Sequence, residues 1–473
     1  MLVSGGRIVT ALVSLISIRA VTTFLTPEQY GELAILMAVQ MFCGLFLVNP
    51  VGQHINLHTH AWWDDGTLLA RLQSYRRYVT AVSLVGGVMM LGISRQPAVG
   101  QLLWTAVAMF AMVAAGTWNA TLIPMLNMLG FRAASVLWSI ITVAISLASS
   151  ILLVEWLSTA AAWFAGQAIG MAVGALGARS VLGRNVTRSL HKLPLLDRHT
   201  ILTYCFPLAV ATGLMWSQLS GYRFLIERYW GLEQLGFMAI GLQMAGQMWA
   251  LAETLAMQFL YPLFYRRVSG SEKQSEVELA FSDLLNTLVP VYFVLTGLLV
   301  LSAPYLHKVL VASQFQNALT FVMLGAGIEL CRVLGNLLSN AAHVKRQTKT
   351  LALPYAAGSM TALALIYFAS AWQLEISGAG AALMAGALAM LTVMWFCMRQ
   401  QVRFTVDTRR WLCSAAVMLA LAVSVFCMPT MSSLGTTIGM LLLIATPAGI
   451  AVLALLWKNP ATLRLLNVQL LKT

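Results

Sequence analysis

The amino-acid sequence predicts an all-α polytopic membrane protein built as two parallel six-helix lobes plus about two C-terminal helices, about 14 transmembrane helices in all. Three observations lead there. Charged residues are scarce, lysine and arginine fall almost entirely on one side of the alternating loops, and a ten-residue phrase is written twice.

Of 473 residues, 59% are apolar and 10% charged, and the mean hydropathy is +0.79. Soluble chains carry about 25% charged residues. Long runs lacking Asp, Glu, Lys and Arg are stable in lipid, where the backbone must satisfy its own hydrogen bonds as helices or a closed barrel. Barrel strands alternate in polarity over about ten residues. Runs such as "LLWTAVAMFAMVAAG" and "LLLIATPAGIAVLALLW" are apolar all round, so the spans are helical.

At about 20 residues per span, the candidates fall at 7–25, 32–51, 78–94, 101–123, 134–154, 161–181, 201–222, 236–259, 284–303, 317–340, 350–371, 377–397, 411–428 and 434–457. The first carries Arg7 and no small-residue cleavage site before a polar segment, so it reads as a retained span. With the N-terminus inside, nearly every Lys and Arg outside the spans lies in the inner loops and the tail, and only Arg95, Arg228 and Lys308 lie outside. Basic residues favour the cytoplasmic face. The net charge of +13 is therefore a topology signal and implies no nucleic-acid partner. The six cysteines sit in or beside apolar runs with no CxxC pair and read as small apolar fillers.

The repeated phrase is "TPEQYGELAI", residues 26–35, and "GLEQLGFMAI", residues 231–240. Glu28, Gln29, Gly31, Ala34 and Ile35 recur as Glu233, Gln234, Gly236, Ala239 and Ile240, each 205 positions later. Both copies enter a span from an outer loop, and the six spans between them give them one orientation. Parallel repeats are an architecture of carriers that alternate access by rocking two lobes. The lobes expected are 1–190 and 191–400, with an extra helix pair and cytoplasmic tail over 401–473. Locally the phrase also suits a helix start: Thr26 caps, Pro27 takes the first position, and Glu28 and Glu32 face the positive end of the dipole.

"RAVTTFLTPEQYGELAIL", residues 19–36, resembles the junction of spans 1 and 2 in the bacterial polysaccharide transporters, the Wzx-type flippases of the MOP superfamily, which also holds the MATE exporters and the lipid II flippases. The resemblance implies two six-helix lobes around a central cavity. It also implies transfer of an undecaprenyl-diphosphate-linked oligosaccharide, an O-antigen, capsule or exopolysaccharide unit, from the inner to the outer leaflet of the bacterial cytoplasmic membrane. Membrane lipids, a polysaccharide polymerase and a chain-length regulator are the partners it implies. Many such transporters have twelve spans, so spans 13 and 14 are a departure.

Such a cargo needs a cationic site for its diphosphate and a lateral opening for its tail, and charges inside the membrane are the candidates. Arg19 lies twelve residues beyond Arg7, about 18 Å further along a helix, near Thr22 and Thr23; guanidinium binds phosphate bidentately and stays charged. Lipid II flippases carry arginine on the first helix of a cationic cavity, and the resemblance gives Arg19 that role by helix. Arg223 lies one residue from the counterpart of Arg19 and four from Glu227. On span 10, Glu329 and Arg332 are spaced to neutralise each other, or to part when Arg332 takes a phosphate. Span 8 carries the stripe Gln243, Gln247, Thr254 and Gln258, with Glu253 about 100° away and either unpaired or paired with Arg19.

The substrate-binding residues expected are thus Arg19, Arg223, Arg332, Gln243 and Gln247, and the ion-coupling residues Glu253 and Glu329. Proton, sodium or membrane potential is the drive, with no cofactor and no metal. "HINLHTHAWWDD", residues 54–65, has metal-ligand composition but sits where Trp62 and Trp63 serve as interfacial anchors. A polysaccharide polymerase or ligase, the enzyme alternative, would need catalytic groups in a sizeable outer loop; none offers paired carboxylates, and no nucleotide cradle or GxSxG motif occurs, so the chain does not read as an enzyme. A MATE-like exporter of cationic drugs is the alternative. It would favour acidic cavity residues, whereas Arg19, Arg223 and Arg332 stand here against Glu253 and Glu329.

Overall fold

Helices account for all regular structure in the computed structural model, which describes residues 2–93, 98–185, 198–269, 273–345, 347–429, 431, 433–457 and 459–466. The chain packs as two compact units, Met1–Gly236 and Phe237–Thr473. The first holds α1 (Leu2–Phe24), α2 (Pro27–Phe42), α3 (Asn49–Asp64), α4 (Leu68–Ile93), α5 (Val99–Met128), α6 (Arg132–Leu157), α7 (Ala160–Asn185), α8 (Arg198–Trp216) and the start of α9 (Tyr222–Ser269). The second holds the rest of α9, then α10 (Gln274–Leu310), α11 (Leu319–Val344), α12 (Ala352–Ala371), α13 (Ile376–Gln401), α14 (Thr408–Ser424), α15 (Leu434–Trp457) and α16 (Pro460–Leu466). The division falls inside α9, whereas the lobes expected at 1–190 and 191–400 follow the sequence repeat. Arg95 lies outside the described residues.

Eleven helical stretches among the described residues are long and apolar enough to cross a membrane. One of them, Cys205–Ser269, contains two helices, because α9 breaks at Gly231 with φ 85°, a backbone conformation that favours glycine. Together with the 23-residue α1 and the 26-residue α4, the long helices match the 14 expected. The chain is a multi-pass membrane protein.

In the first unit, α2 begins as its sequence requires. Thr26 Oγ1 accepts from the Gln29 amide at 3.3 Å while Gln29 Oε1 accepts from the Thr26 amide at 3.0 Å, and Pro27 opens the helix. Residues 43–48 are π-helical and join α2 to α3. The pair α6 and α7 packs by small residues: a Cβ on Gly166, Gly170 or Gly174 would lie 2.3, 2.2 or 1.8 Å from Ser150, Ser146 or Thr142. Ser150 Oγ and Ser146 Oγ donate to the Trp163 and Gln167 carbonyls at 2.9 and 3.2 Å. Close backbones and interhelical hydrogen bonds hold such pairs in lipid, where apolar burial offers little drive.

In the second unit α10 is the spine, and α11, α14, α15 and α16 all pack along it. Asn286 Nδ2 donates to the Thr405 carbonyl at 3.0 Å, and its Oδ1 accepts from the Asp407 amide at 2.9 Å and Trp411 Nε1 at 3.1 Å, fixing the start of α14. One turn earlier Asp283, with a side chain only 1% exposed, takes Arg267 Nη1 at 2.9 Å and Arg464 Nη2 at 2.6 Å. Arg464 belongs to the seven-residue α16, too short to persist without such ties. Asp283→Ala is expected to release α16 and to cost about 3 kcal/mol, the scale of a broken buried pair. Faster hydrogen exchange over 459–466 checks it; unchanged exchange there would mean that Asn459 and Thr462 suffice.

Candidate functional site

The charged residues of α9 and α11 meet in the second unit. Glu329, Arg332 and Asn336 fall at i, i+3 and i+7, one face of α11. Arg332 Nε donates to Glu329 Oε2 at 2.5 Å, Arg332 Nη2 donates to Glu253 Oε2 on α9 at 2.7 Å, and Asn336 Nδ2 donates to Glu253 Oε1 at 3.0 Å. Glu253, which has no cation near it in sequence, takes Arg332 as its partner, brought by tertiary packing.

Chemically the group is one guanidinium shared by two carboxylates, one formal negative charge in excess. The side chains of Arg332, Glu253 and Glu329 are 26%, 19% and 18% exposed, so each is largely withdrawn from solvent yet reachable. The planar fork of arginine suits this double engagement, and its release from either carboxylate would free donors for a phosphate oxygen. Gln243 and Gln247 are half-buried on the same helix, roughly 15 and 9 Å along its axis from Glu253. Asn336 was not among the expected residues; its signal is a polar residue four positions beyond Arg332 in an apolar span.

Beside Glu253, the next part of the α9 surface is apolar. Met248 and Ala252 of α9, Leu298 and Leu306 of α10, and Ile444 and Val452 of α15 line a groove of about 590 Å³.

The remaining expected residues lie in the first unit. Arg19 is exposed on α1, and the hydroxyls of Thr22 and Thr23 donate back to the Arg19 carbonyl at 3.1 and 2.8 Å instead of extending the side-chain site. Arg223 is half-buried: its Nη1 donates to the Ala34 carbonyl of α2 at 3.0 Å, and its Nε is buried with no partner among the described residues. It is one rung of a series in which side chains of α8 and α9 reach the backbone of α2 and α3, with Thr212 Oγ1 to the Leu45 carbonyl at 2.7 Å and Trp216 Nε1 to the Ala38 carbonyl at 2.8 Å. Leu45 lies in the π-helical segment, where widened pairing leaves carbonyls available.

The two copies of the repeated phrase pack against each other here. A Cβ on Gly31 would lie 2.0 Å from the Leu232 carbonyl oxygen, and one on Gly236 would lie 1.9 Å from that of Pro27. Leu232 and Pro27 are themselves 205 residues apart, so the contact is reciprocal. Nearby, Glu28, Glu32 and Glu227 line a pocket of about 410 Å³. At the far end of α3 the His54 and His58 rings lie 4.4 Å apart, His58 stacks on Trp62 at 5.4 Å, and the Arg71 guanidinium covers Trp62 at 5.7 Å. Those histidines build an interfacial stack.

With this geometry the fold can be compared with known proteins. No protein-family model matches the chain, and no curated protein matches its sequence. Among solved structures it is similar to the lipid II flippase MurJ in an inward closed conformation, 12% identical over 97% of this chain and 99% of that one, with a TM-score of 0.71. It is also similar to an inward-facing multidrug resistance MATE family transporter of the MOP superfamily, 11% identical over 88% and 96%, TM-score 0.59. A MOP superfamily transporter from Pyrococcus furiosus aligns at 13% identity over 89% and 94%, TM-score 0.51. The chain shares its fold with these solved structures.

Proposed function

We propose that the chain is a flippase for a lipid-linked, diphosphate-bearing oligosaccharide, moving an undecaprenyl-diphosphate glycan between leaflets of the bacterial cytoplasmic membrane, with both termini cytoplasmic. The observation that carries this reading is that α9 contributes both to the Glu253–Arg332–Glu329 group and to the apolar groove walled by α10 and α15. A polar site beside an apolar trough suits a cargo whose head is charged and whose tail stays in lipid. The helix pair beyond the twelve repeat helices then has a use, since α15 supplies one wall of the groove. The solved neighbour named as a lipid II flippase acts on a lipid-linked substrate and aligns over nearly the whole chain.

In this reading Arg19, Arg223 and Arg332 serve the diphosphate at different points of the passage, Gln243 and Gln247 line its path, and Glu253 and Glu329 couple movement to a proton, a sodium ion or the membrane potential. Arg332 is held by two carboxylates until a phosphate competes for it.

A second reading, export of small cationic molecules, is favoured by the pocket that carries Glu28, Glu32 and Glu227. Complementation separates the two. Bacteria lacking their own polysaccharide flippase are expected to recover surface glycan on expressing the wild type, to fail with Arg19→Ala, and to recover in part with Arg19→Lys, at equal membrane abundance. Failure of the wild type across several glycan systems, together with raised resistance to cationic drugs, would replace the flippase by an exporter.

A further inference from the structure

A second cleft, in the first unit, is polar without being charged. It has a volume of about 290 Å³ and lies between the run α2–α3 and helix α5. Gln40, Asn49, Gln53 and Asn56 line it from one side, and Thr117 and Thr121 from the other. Gly44, Gly52 and Gly116 keep its walls close to the backbone; no Asp, Glu, Lys, Arg or His lines it.

The π-helical segment 43–48 creates this face. In an unbroken α-helix nine positions place Gln40 and Asn49 on opposite sides, at roughly 180°. A π-bulge inserts one residue, so the same pair sits as if eight apart, roughly 80° from each other. Asn49, Gln53 and Asn56 then follow at i, i+4 and i+7. The π-helical turn thus brings Gln40 toward the wall that Asn49, Gln53 and Asn56 already share.

None of those four amides has a side-chain hydrogen-bond partner among the described residues. The contrast within α5 is direct: Asn119, outside the cleft, donates to Thr142 Oγ1 at 3.0 Å and to the Met171 carbonyl at 3.1 Å. Gln40 and Asn49 are half-buried and Gln53 and Asn56 exposed, so a row of four amides with no protein partner keeps its donors and acceptors open to whatever enters the cleft. Each amide offers two donors and an acceptor. A neutral polyhydroxylated molecule, whose hydroxyls both give and accept, satisfies that set; phosphate would need cations, and a metal would need carboxylates or imidazoles. Leu45, Val48, Met112 and Val113 complete the walls with apolar surface for C–H faces.

We infer that this cleft is a sugar-binding subsite in which Gln40, Asn49, Gln53 and Asn56 read one residue of the transported glycan. The inference rests on the flippase reading, and it assigns glycan recognition to the first unit. The cleft lies at the small end of the range of about 300–1,000 Å³ found for ligand pockets, which fits a single sugar ring and not a chain.

The test uses the full-length protein in nanodiscs with two probes: undecaprenyl diphosphate alone, and the same lipid carrying an oligosaccharide whose surface display the protein restores. The wild type should bind the glycosylated lipid about tenfold more tightly, the worth of two neutral hydrogen bonds. Gln53→Leu/Asn56→Leu, at two exposed positions that pack nothing, should bind the bare lipid like the wild type and lose the preference. Asn49→Leu serves as the second variant and should behave alike. A preference retained in both variants would overturn the sugar subsite while leaving the flippase reading intact, and a wild type that binds neither lipid would overturn both.

Discussion

Arg332→Ala is expected to destabilise the detergent-solubilised protein by about 3 kcal/mol and to abolish transport. The guanidinium holds Glu329 at 2.5 Å and Glu253 at 2.7 Å, so its loss leaves two carboxylates facing each other with little water to screen them. Breaking a buried pair by removing one partner costs about 3–5 kcal/mol, because the other charge is stranded; partial exposure of all three side chains argues for the lower figure. Arg332→Lys should recover only part of the loss, since a point-like ammonium cannot span both carboxylates as the fork does. The decisive variant is Arg332→Ala with Glu253→Gln and Glu329→Gln. Removing the stranded charges should restore the thermal midpoint and leave transport absent, separating the structural role of the group from the role proposed for it in transport. A thermal midpoint for Arg332→Ala equal to that of the wild type would mean that the three side chains do not pair in the membrane.

Gly31→Val and Gly236→Val are expected to be nearly as damaging, and equally so. A Cβ at either position would lie 2.0 or 1.9 Å from a backbone carbonyl, and backbone cannot turn aside as a flexible side chain can. Helices α2 and α9 must separate, at a cost of about 1–3 kcal/mol typical of overpacking. Because Gly236 faces Pro27 at the start of α2 and Gly31 faces Leu232 just after the break in α9, one separation accommodates both substitutions. The double variant should therefore lose little more than either single one, a coupling of about 0.5–3 kcal/mol in a double-mutant cycle. Thermal unfolding of the four proteins measures it; simple additivity would show that the two contacts are independent.

Much of the fold was legible because it follows from solvent and periodicity. Scarce charge demanded lipid, lipid demanded helices, and Thr26 as cap with Pro27 behind it stood in the residues themselves. The site was legible only where its parts lie on one helix. Glu329 and Arg332 announced each other by spacing, but Glu253 joined them from a helix 79 residues away in sequence, a distance that periodicity does not bridge. Arg223 misled a reading that pairs charges, because its partner is a carbonyl, a group every residue carries. The amides of the sugar cleft escaped for a geometric reason: a regular helix puts Gln40 and Asn49 on opposite faces, and only the π-helical turn reunites them.

The reciprocal glycine contact has the form of a twofold seam. A contact in which one patch meets its own copy, with each glycine received by the other's counterpart carbonyl, is isologous, the kind that a twofold homodimer makes. The phrase written twice therefore makes, within one chain, the self-complementary seam that a twofold dimer makes between two, so a change to one copy is felt at the other.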